Sequence, residues 1–209
     1  GGDGRGVGAG ERDPRCIAAL ADLAGAPPGR VDVIGGDALS IDLARLSGPP
    51  RRIVANLPYN IATPLLIGWL KQIGDFQSLT MMFQKEVADR LAARPRSKAY
   101  GRLSVITQWL TRVRFEFNID RRAFTPPPKV ASSLVTLTPH PEPLAPADWD
   151  TLEALTAAAF GQRRKMLRTS LKPLGLDLEE LGLDPTARAE ALDVEDFCTL
   201  ARALGELSS

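Results

Sequence analysis

Ile53-Val54-Ala55 is a short apolar run, entered from Pro49-Pro50-Arg51-Arg52 and stopped at Asn56-Leu57-Pro58-Tyr59. Such a run reads as a buried parallel strand. Pro58 offers no N–H and pushes Leu57 away from helix, so the chain leaves the strand extended or turning. Asn56, the Pro58 carbonyl and Tyr59 then sit at the carboxyl end of a strand, where open α/β sheets bind their ligands. An amide, a bare carbonyl and an aromatic face suit a flat nitrogenous ring. The ring stacks on Tyr59 while an exocyclic NH2 donates to the Asn56 side-chain oxygen and the Pro58 carbonyl. The plainer reading is a strand ending in a proline turn, with Tyr59 packed on the core.

The flanking chain alternates short apolar runs with helical patterns, which predicts an α/β sheet. Gly1 to Gly10 holds six glycines and is expected to be flexible. Its Gly6-x-Gly8-x-Gly10 spacing lacks the preceding strand that a nucleotide loop needs. Asp13 before Pro14 predicts the start of a helix that runs through Ile17, Leu20 and Leu23 to the break at 25–29. Val31 to Ile34 reads as a strand. Thr63-Pro64 is expected to open a helix with Leu65, Leu66, Trp69, Leu70 and Ile73 on one apolar face. Further strands are predicted at 79–83, 112–119 and 132–137, the last pairing with its predecessor as an antiparallel edge. Helices are predicted at 85–91 and 103–110 between them. Pro139 to Pro146 is a proline-rich linker that divides 1–140 from 141–209. Helices are expected in the second unit at 148–160, along the basic run 161–172, and at 178–183, 185–192 and 194–207.

The net charge of +1 hides a dipole. Lys85 to Lys129 carries eleven basic residues against four acids, and from Asp177 onward the balance reverses. Arg94, Arg96, Lys98 and Arg102 share one loop with Tyr100 and Gly101, which reads either as a solvated loop or as a phosphate clamp. Cys16 and Cys198 are far apart and His140 is the only histidine, so a metal site is not expected. Both cysteines read as small core residues of a reduced, cytosolic protein. No apolar run of about 18 residues and no signal peptide occur, so neither membrane nor export is indicated.

Asn56-Leu57-Pro58-Tyr59 resembles the catalytic motif of methyltransferases directed at amino groups. Three further stretches, Phe83-Gln84-Lys85-Glu86-Val87 with 97–104, Phe124-Thr125-Pro126-Pro127-Pro128-Lys129-Val130, and Phe160-Gly161-Gln162-Arg163-Arg164-Lys165, are similar to the KsgA/RsmA-type rRNA adenine N6-dimethyltransferase family. The likeness runs in order from about Glu11 to the C-terminus.

The resemblance implies a Rossmann-like class I methyltransferase sheet plus a small all-α C-terminal domain. In that family a strand and a glycine-rich loop precede the acidic residue that Glu11 matches. The chain is therefore expected to be N-terminally truncated relative to it, missing the first strand and glycine loop. The implied donor is S-adenosyl-L-methionine, met by Glu11 at the ribose, Asp37 and Ala38 at the adenine, and Asn56. The implied catalytic set is Asn56, Leu57, Pro58, Tyr59 and Phe124, with Phe124 facing the target adenine opposite Tyr59. Arg96, Lys98, Arg102, Lys129, Arg163, Arg164, Lys165 and Arg168 are expected on the RNA backbone. The expected substrate is two adjacent adenosines in the 3′-terminal hairpin of small-subunit rRNA, within a pre-small ribosomal subunit, methylated by a cytoplasmic monomer. Two alternatives stay open: an Erm-type large-subunit rRNA methyltransferase, and an assembly factor that binds RNA without methylating it.

Overall fold

The computed structural model describes residues 7–11, 13–18, 31–40, 48 and 50–207. The predicted helix segment beyond residue 18, with Leu20 and Leu23, lies outside the described residues.

Two sheets form. In the first, β1 (Val7–Glu11) pairs in parallel with β2 (Val31–Gly35), Glu11 opposite Gly35. Four residues of the ten-residue glycine tract expected to be flexible, Val7–Gly10, are thus in a strand, because their backbone groups join a ladder that glycine propensity alone does not forbid. Glycine at Gly8 and Gly10 alternates with Val7 and Ala9, so the strand carries little side-chain bulk to reveal it. Asp13 then caps a helical turn at 14–18, its carboxylate accepting the Arg15 N–H at 2.9 Å.

The second sheet has four strands in the order β3-β4-β6-β5: β3 (Arg51–Ala55), β4 (Phe76–Gln84), β5 (Thr111–Ile119) and β6 (Ser132–Pro139). β3 and β4 are parallel, and β6 is antiparallel to both its neighbours. The strand at 132–139 is therefore interior, and β5 takes the edge. Helix α1 (Tyr59–Leu70) crosses from β3 to β4. It begins at Tyr59 rather than at Thr63-Pro64, because Pro58 is in extended backbone and its carbonyl opens the first turn. Pro64 sits inside, where its missing N–H leaves only the carbonyl of exposed Asn60 without a helical donor. Helices α2 (Lys85–Leu91) and α3 (Arg102–Leu110) follow β4.

Leu79, Met81 and Phe83 of β4 meet Leu137 and Val135 of β6 across one sheet face, all at most 1% exposed. Leu66 and Leu70 of α1 and Val105 and Ile106 of α3 close over them. Deeply buried side chains of this kind each contribute about 1.5–3 kcal/mol by leaving water. β3 departs from the expectation of burial on both faces. Ile53 and Ala55 pack against the core, whereas Val54 is 83% exposed on the other face.

The core continues into α4 (Trp149–Gly161), the short α5 (Leu167–Ser170) and α6 (Val194–Leu207). Asp148 caps α4 by accepting the Thr151 N–H at 2.9 Å. The stretch 178–183 is made of turns, and 185–192 is turns apart from a single 3₁₀ turn at Ala189–Ala191, so neither forms the expected α-helix. Asp177 accepts the N–H groups of Glu179 and Glu180, and Asp184 accepts that of Thr186. Gly175 and Gly182 take positive φ, which breaks any helix through them. The basic run at 161–172 likewise is not one helix. Leu167 and Arg168 donate backbone N–H groups to Ala187 and Pro185, and this pairing pulls the chain out of helical register.

Candidate functional site

Parallel strands deliver their carboxyl ends to a common edge. β3 ends at Ala55, so Asn56 emerges there, exposed, with an amide that makes no hydrogen bond to a described residue. The Pro58 carbonyl, expected to be a free acceptor, is committed. It accepts the N–H of Ile61 at 3.1 Å and of Ala62 at 3.2 Å as α1 begins. A carbonyl has two lone pairs and both are used. The Leu57 carbonyl one residue earlier lies outside helix and strand and accepts no backbone hydrogen bond from a described residue. The turn thus offers an acceptor beside Asn56, one position upstream of the expected one.

Tyr59 is half-buried as the first residue of α1, and its hydroxyl lies 2.5 Å from Ser132 Oγ. Ser132 opens β6 and pairs with Gln84 and with Ile119, so Tyr59 is tied to the end of three strands at once. Phe124 belongs to the connection that leaves β5 at this same end. Asp120 caps a short turn at Arg121–Ala123, accepting the Arg122 N–H at 2.8 Å, and half-buried Phe124 follows in extended backbone. The β5–β6 register closes the loop between Ile119 and Ser132, so Phe124 and Tyr59 share one end of the sheet.

Glu11 and Asp37 end β1 and the turn after β2. The Gly36 N–H donates to the Glu11 carbonyl at 3.0 Å, which draws the two strand ends together. Glu11 Oε1 accepts the Asp13 N–H at 2.9 Å, fixing the carboxylate above the strand end. Asp37 is exposed, and its Oδ1 accepts the Leu39 N–H at 3.0 Å in a local turn. Ala38, half-buried, presents the intervening backbone N–H. Two carboxylates at the ends of adjacent parallel strands can accept hydrogen bonds from hydroxyl and amino groups of a ligand. No strand pairing joins β1–β2 to the four-stranded sheet among the described residues.

The cations divide by their partners. Arg96, Lys98, Lys129, Arg164 and Lys165 are exposed and form no salt bridge with a described residue. Arg168, also exposed, helps hold the Asp184 carboxyl below its ordinary range, behind the hydrogen bonds from Thr186. Arg102 is bound to Glu153 at 2.6 Å. Arg163 is bound more heavily: Nε donates to Glu190 at 3.1 Å, and Nη2 donates to the carbonyls of Lys98 at 2.5 Å and Tyr100 at 3.1 Å. The Arg96 N–H also donates to the Glu190 carbonyl, at 2.6 Å. Arg163 therefore clasps the 94–101 loop to the C-terminal helices. Sequence reading did not find Ser132 or Glu190, because each meets its partner across a separation that no local pattern encodes. No group of three metal-binding side chains occurs among the described residues.

The site and sheet define a methyltransferase-like α/β fold with an amide-and-aromatic turn at the strand ends. The sequence profile described as ribosomal RNA adenine dimethylase matches residues 5–206, and the chain belongs to that family. It is 62% identical over 203 residues to the ribosomal RNA small subunit methyltransferase A of Rhodospirillum rubrum, covering 95% of this chain and 70% of that protein. A crystal structure of a dimethyladenosine transferase from Plasmodium falciparum shares the fold with TM-score 0.84 at 24% identity, covering 97% of this chain and 83% of that one. The 23S rRNA methyltransferase ErmE gives TM-score 0.66 at 26% identity, covering 96% and 82%.

Proposed function

We propose that this protein dimethylates N6 of adenine in small-subunit rRNA, acting on two adjacent adenosines of the 3′-terminal hairpin as a cytoplasmic monomer off the membrane. One observation carries the reading: an Asn56 amide with no hydrogen bond to a described residue leaves the end of β3 directly ahead of a Tyr59 ring pinned by Ser132. The difference between 62% identity to a small-subunit enzyme and 26% to a large-subunit one favours the small subunit over the Erm-type alternative. Glu11, Asp37 and Ala38 hold the adenosine of S-adenosyl-L-methionine, which when bound supplies an electrophilic methyl group on a sulfonium.

The amino lone pair of adenine is delocalised into the ring and is a poor nucleophile. Asn56 Oδ1 and the Leu57 carbonyl accept its two N–H bonds, which favours a pyramidal nitrogen and aims its lone pair. Tyr59 and Phe124 clamp the extruded base between two rings, and unstacking it costs a few kcal/mol that these contacts offset. The amine attacks while neutral, so no Cys or His base is required. Orientation and placed acceptors supply the acceleration. Arg96, Lys98, Lys129, Arg164, Lys165 and Arg168 hold the RNA backbone, with Arg102 and Arg163 behind them.

The test is isothermal calorimetry with S-adenosyl-L-methionine alongside RNA binding and methyl transfer to the hairpin. Saturable donor affinity with transfer is expected. RNA affinity without donor affinity would leave an assembly factor in place of the enzyme.

A further inference from the structure

A cavity of about 780 Å³ opens between α1, α2, α3 and α4, apart from Asn56 and Phe124. Its walls are apolar: Ile67, Val87, Leu103, Ile106 and the Phe160 ring. Phe160 is itself braced, 5.4 Å from the Phe197 ring and 6.0 Å from that of Tyr100. The polar lining is sparse. Thr63 contributes a hydroxyl, Glu153 a carboxylate, and Arg90, Arg102 and Arg163 guanidinium groups, three cations against one anion. Volume and lining both fall in the range of small-ligand sites, which are apolar with a few convergent polar groups.

Charge and position restrict the occupant. Arg163 is consumed by Glu190 and two carbonyls, so it builds the wall rather than binding. Arg90 and Arg102 stand exposed at the rim, each held by a single acid (Glu86 and Glu153), and point to an anionic group there. Thr63 follows Tyr59 by four residues on α1, so the two share a helix face with about 6 Å of rise between them. Successive nucleotides along a strand are about 3.4 Å apart when stacked and farther apart once unstacked. Thr63, on the cavity wall, thus lies on the order of one nucleotide step along α1 from Tyr59.

On the reading of Tyr59 as that grip, we infer that this cavity receives the nucleotide adjoining the target adenine. Its base enters against Phe160, Ile67 and Leu103, and its phosphate meets Arg90 and Arg102. Capture of the neighbour holds the strand splayed while the target occupies the turn after β3.

The test is a photo-crosslinking walk. Hairpin RNAs carry 4-thiouridine at one loop position at a time, and linked peptides of the whole protein are identified by mass spectrometry. The expected map has one position joined to the peptide of Tyr59 or Phe124, and an immediate neighbour joined to Thr63–Ile67 or to residues 99–104. Thr63→Trp, with its folding verified by thermal unfolding, plugs the cavity and should cut the neighbour's link at least tenfold while leaving the target's link in place. If the target links to Tyr59 or Phe124 but its neighbours link only outside the cavity, the inference is overturned and the adenine reading survives. An undiminished neighbour link in Thr63→Trp overturns it as well. If no position reaches Tyr59 or Phe124, both fall together. The wild-type map decides the matter even if the tryptophan variant does not fold.

Discussion

The turn after β3 and the basic surface around 161–172 both present polar groups to solvent, yet they select the useful ones by different means. In the turn, backbone geometry decides. The Pro58 carbonyl is spent on Ile61 and Ala62, which leaves Leu57 as the acceptor beside Asn56. On the basic surface, neighbouring acids decide. Arg163 is spent on Glu190 and on two loop carbonyls, whereas Arg164 and Lys165, the next two residues, have no salt bridge among the described residues. Adjacent residues of one chemical type therefore hold unlike roles, and substitution should separate them.

The largest separation is expected at the turn. Asn56→Ala removes one acceptor aimed at the reacting amine, and loss of one such placed group typically costs about 10²–10³ in rate. Methyl transfer should fall by at least that factor, while RNA affinity stays within about twofold. Radiolabelled methyl incorporation, read beside fluorescence anisotropy, checks both. Unchanged transfer would remove Asn56 from the chemistry.

At the basic surface, Arg164→Gln, Lys165→Gln and Arg168→Gln together should lower RNA affinity by about 10–100-fold at moderate salt. They should also flatten the plot of log affinity against log salt by roughly two to three units, since each phosphate contact contributes about 0.7–0.9. An unaltered slope would move the RNA footprint elsewhere. Arg163→Gln should leave that slope nearly unchanged. Its cost should fall on the loop: two carbonyls and one carboxylate, largely exposed to water, lose their donor, worth about 0.5–1.5 kcal/mol. Amide hydrogen exchange across 94–101 should accelerate accordingly. A slope lowered as much by Arg163→Gln as by each of its neighbours would make it a phosphate ligand after all.

Local signals carried much of this molecule. The proline after Leu57 dictated the turn and Asp148 announced α4, and β5 forms where expected, although a register shift falls between Phe115 and Phe117 and both rings are exposed. What stayed hidden was the outcome of competition between partners. Nothing near Pro58 states that α1 begins at Tyr59 and takes both its lone pairs. The basic run at 161–172 has helical composition, and it bends only because Leu167 and Arg168 find carbonyls at Ala187 and Pro185. The glycine tract failed in the opposite sense, since Val7–Glu11 is a strand by virtue of its pairing with β2 and not of its own propensity.

The smallest expected effect tests the core that both regions lean on. Cys198 is fully buried in α6, and burial, with lesser contributions from Glu195 and Asp193 against an opposing one from Arg202, pushes its thiol up to about 11 from an ordinary 9.0. The folded state therefore keeps this proton at pH values where the unfolded chain has released it. The stabilisation is whole below about pH 9 and drains away as pH rises toward 11. At pH 10 the difference amounts to about 1.4 kcal/mol. Burial raises the Tyr100 hydroxyl in the same sense, with Asp193 and Asp196 adding to it, so alkaline loss of stability should not vanish in a Cys198→Ala variant. It should become shallower between pH 9 and 11, although the variant starts less stable at pH 7 from the cavity it creates. Urea unfolding at pH 7 and pH 10 measures both terms. Equal pH slopes in the two proteins would show that the thiol ionises as readily folded as unfolded, and that α6 does not seal the core.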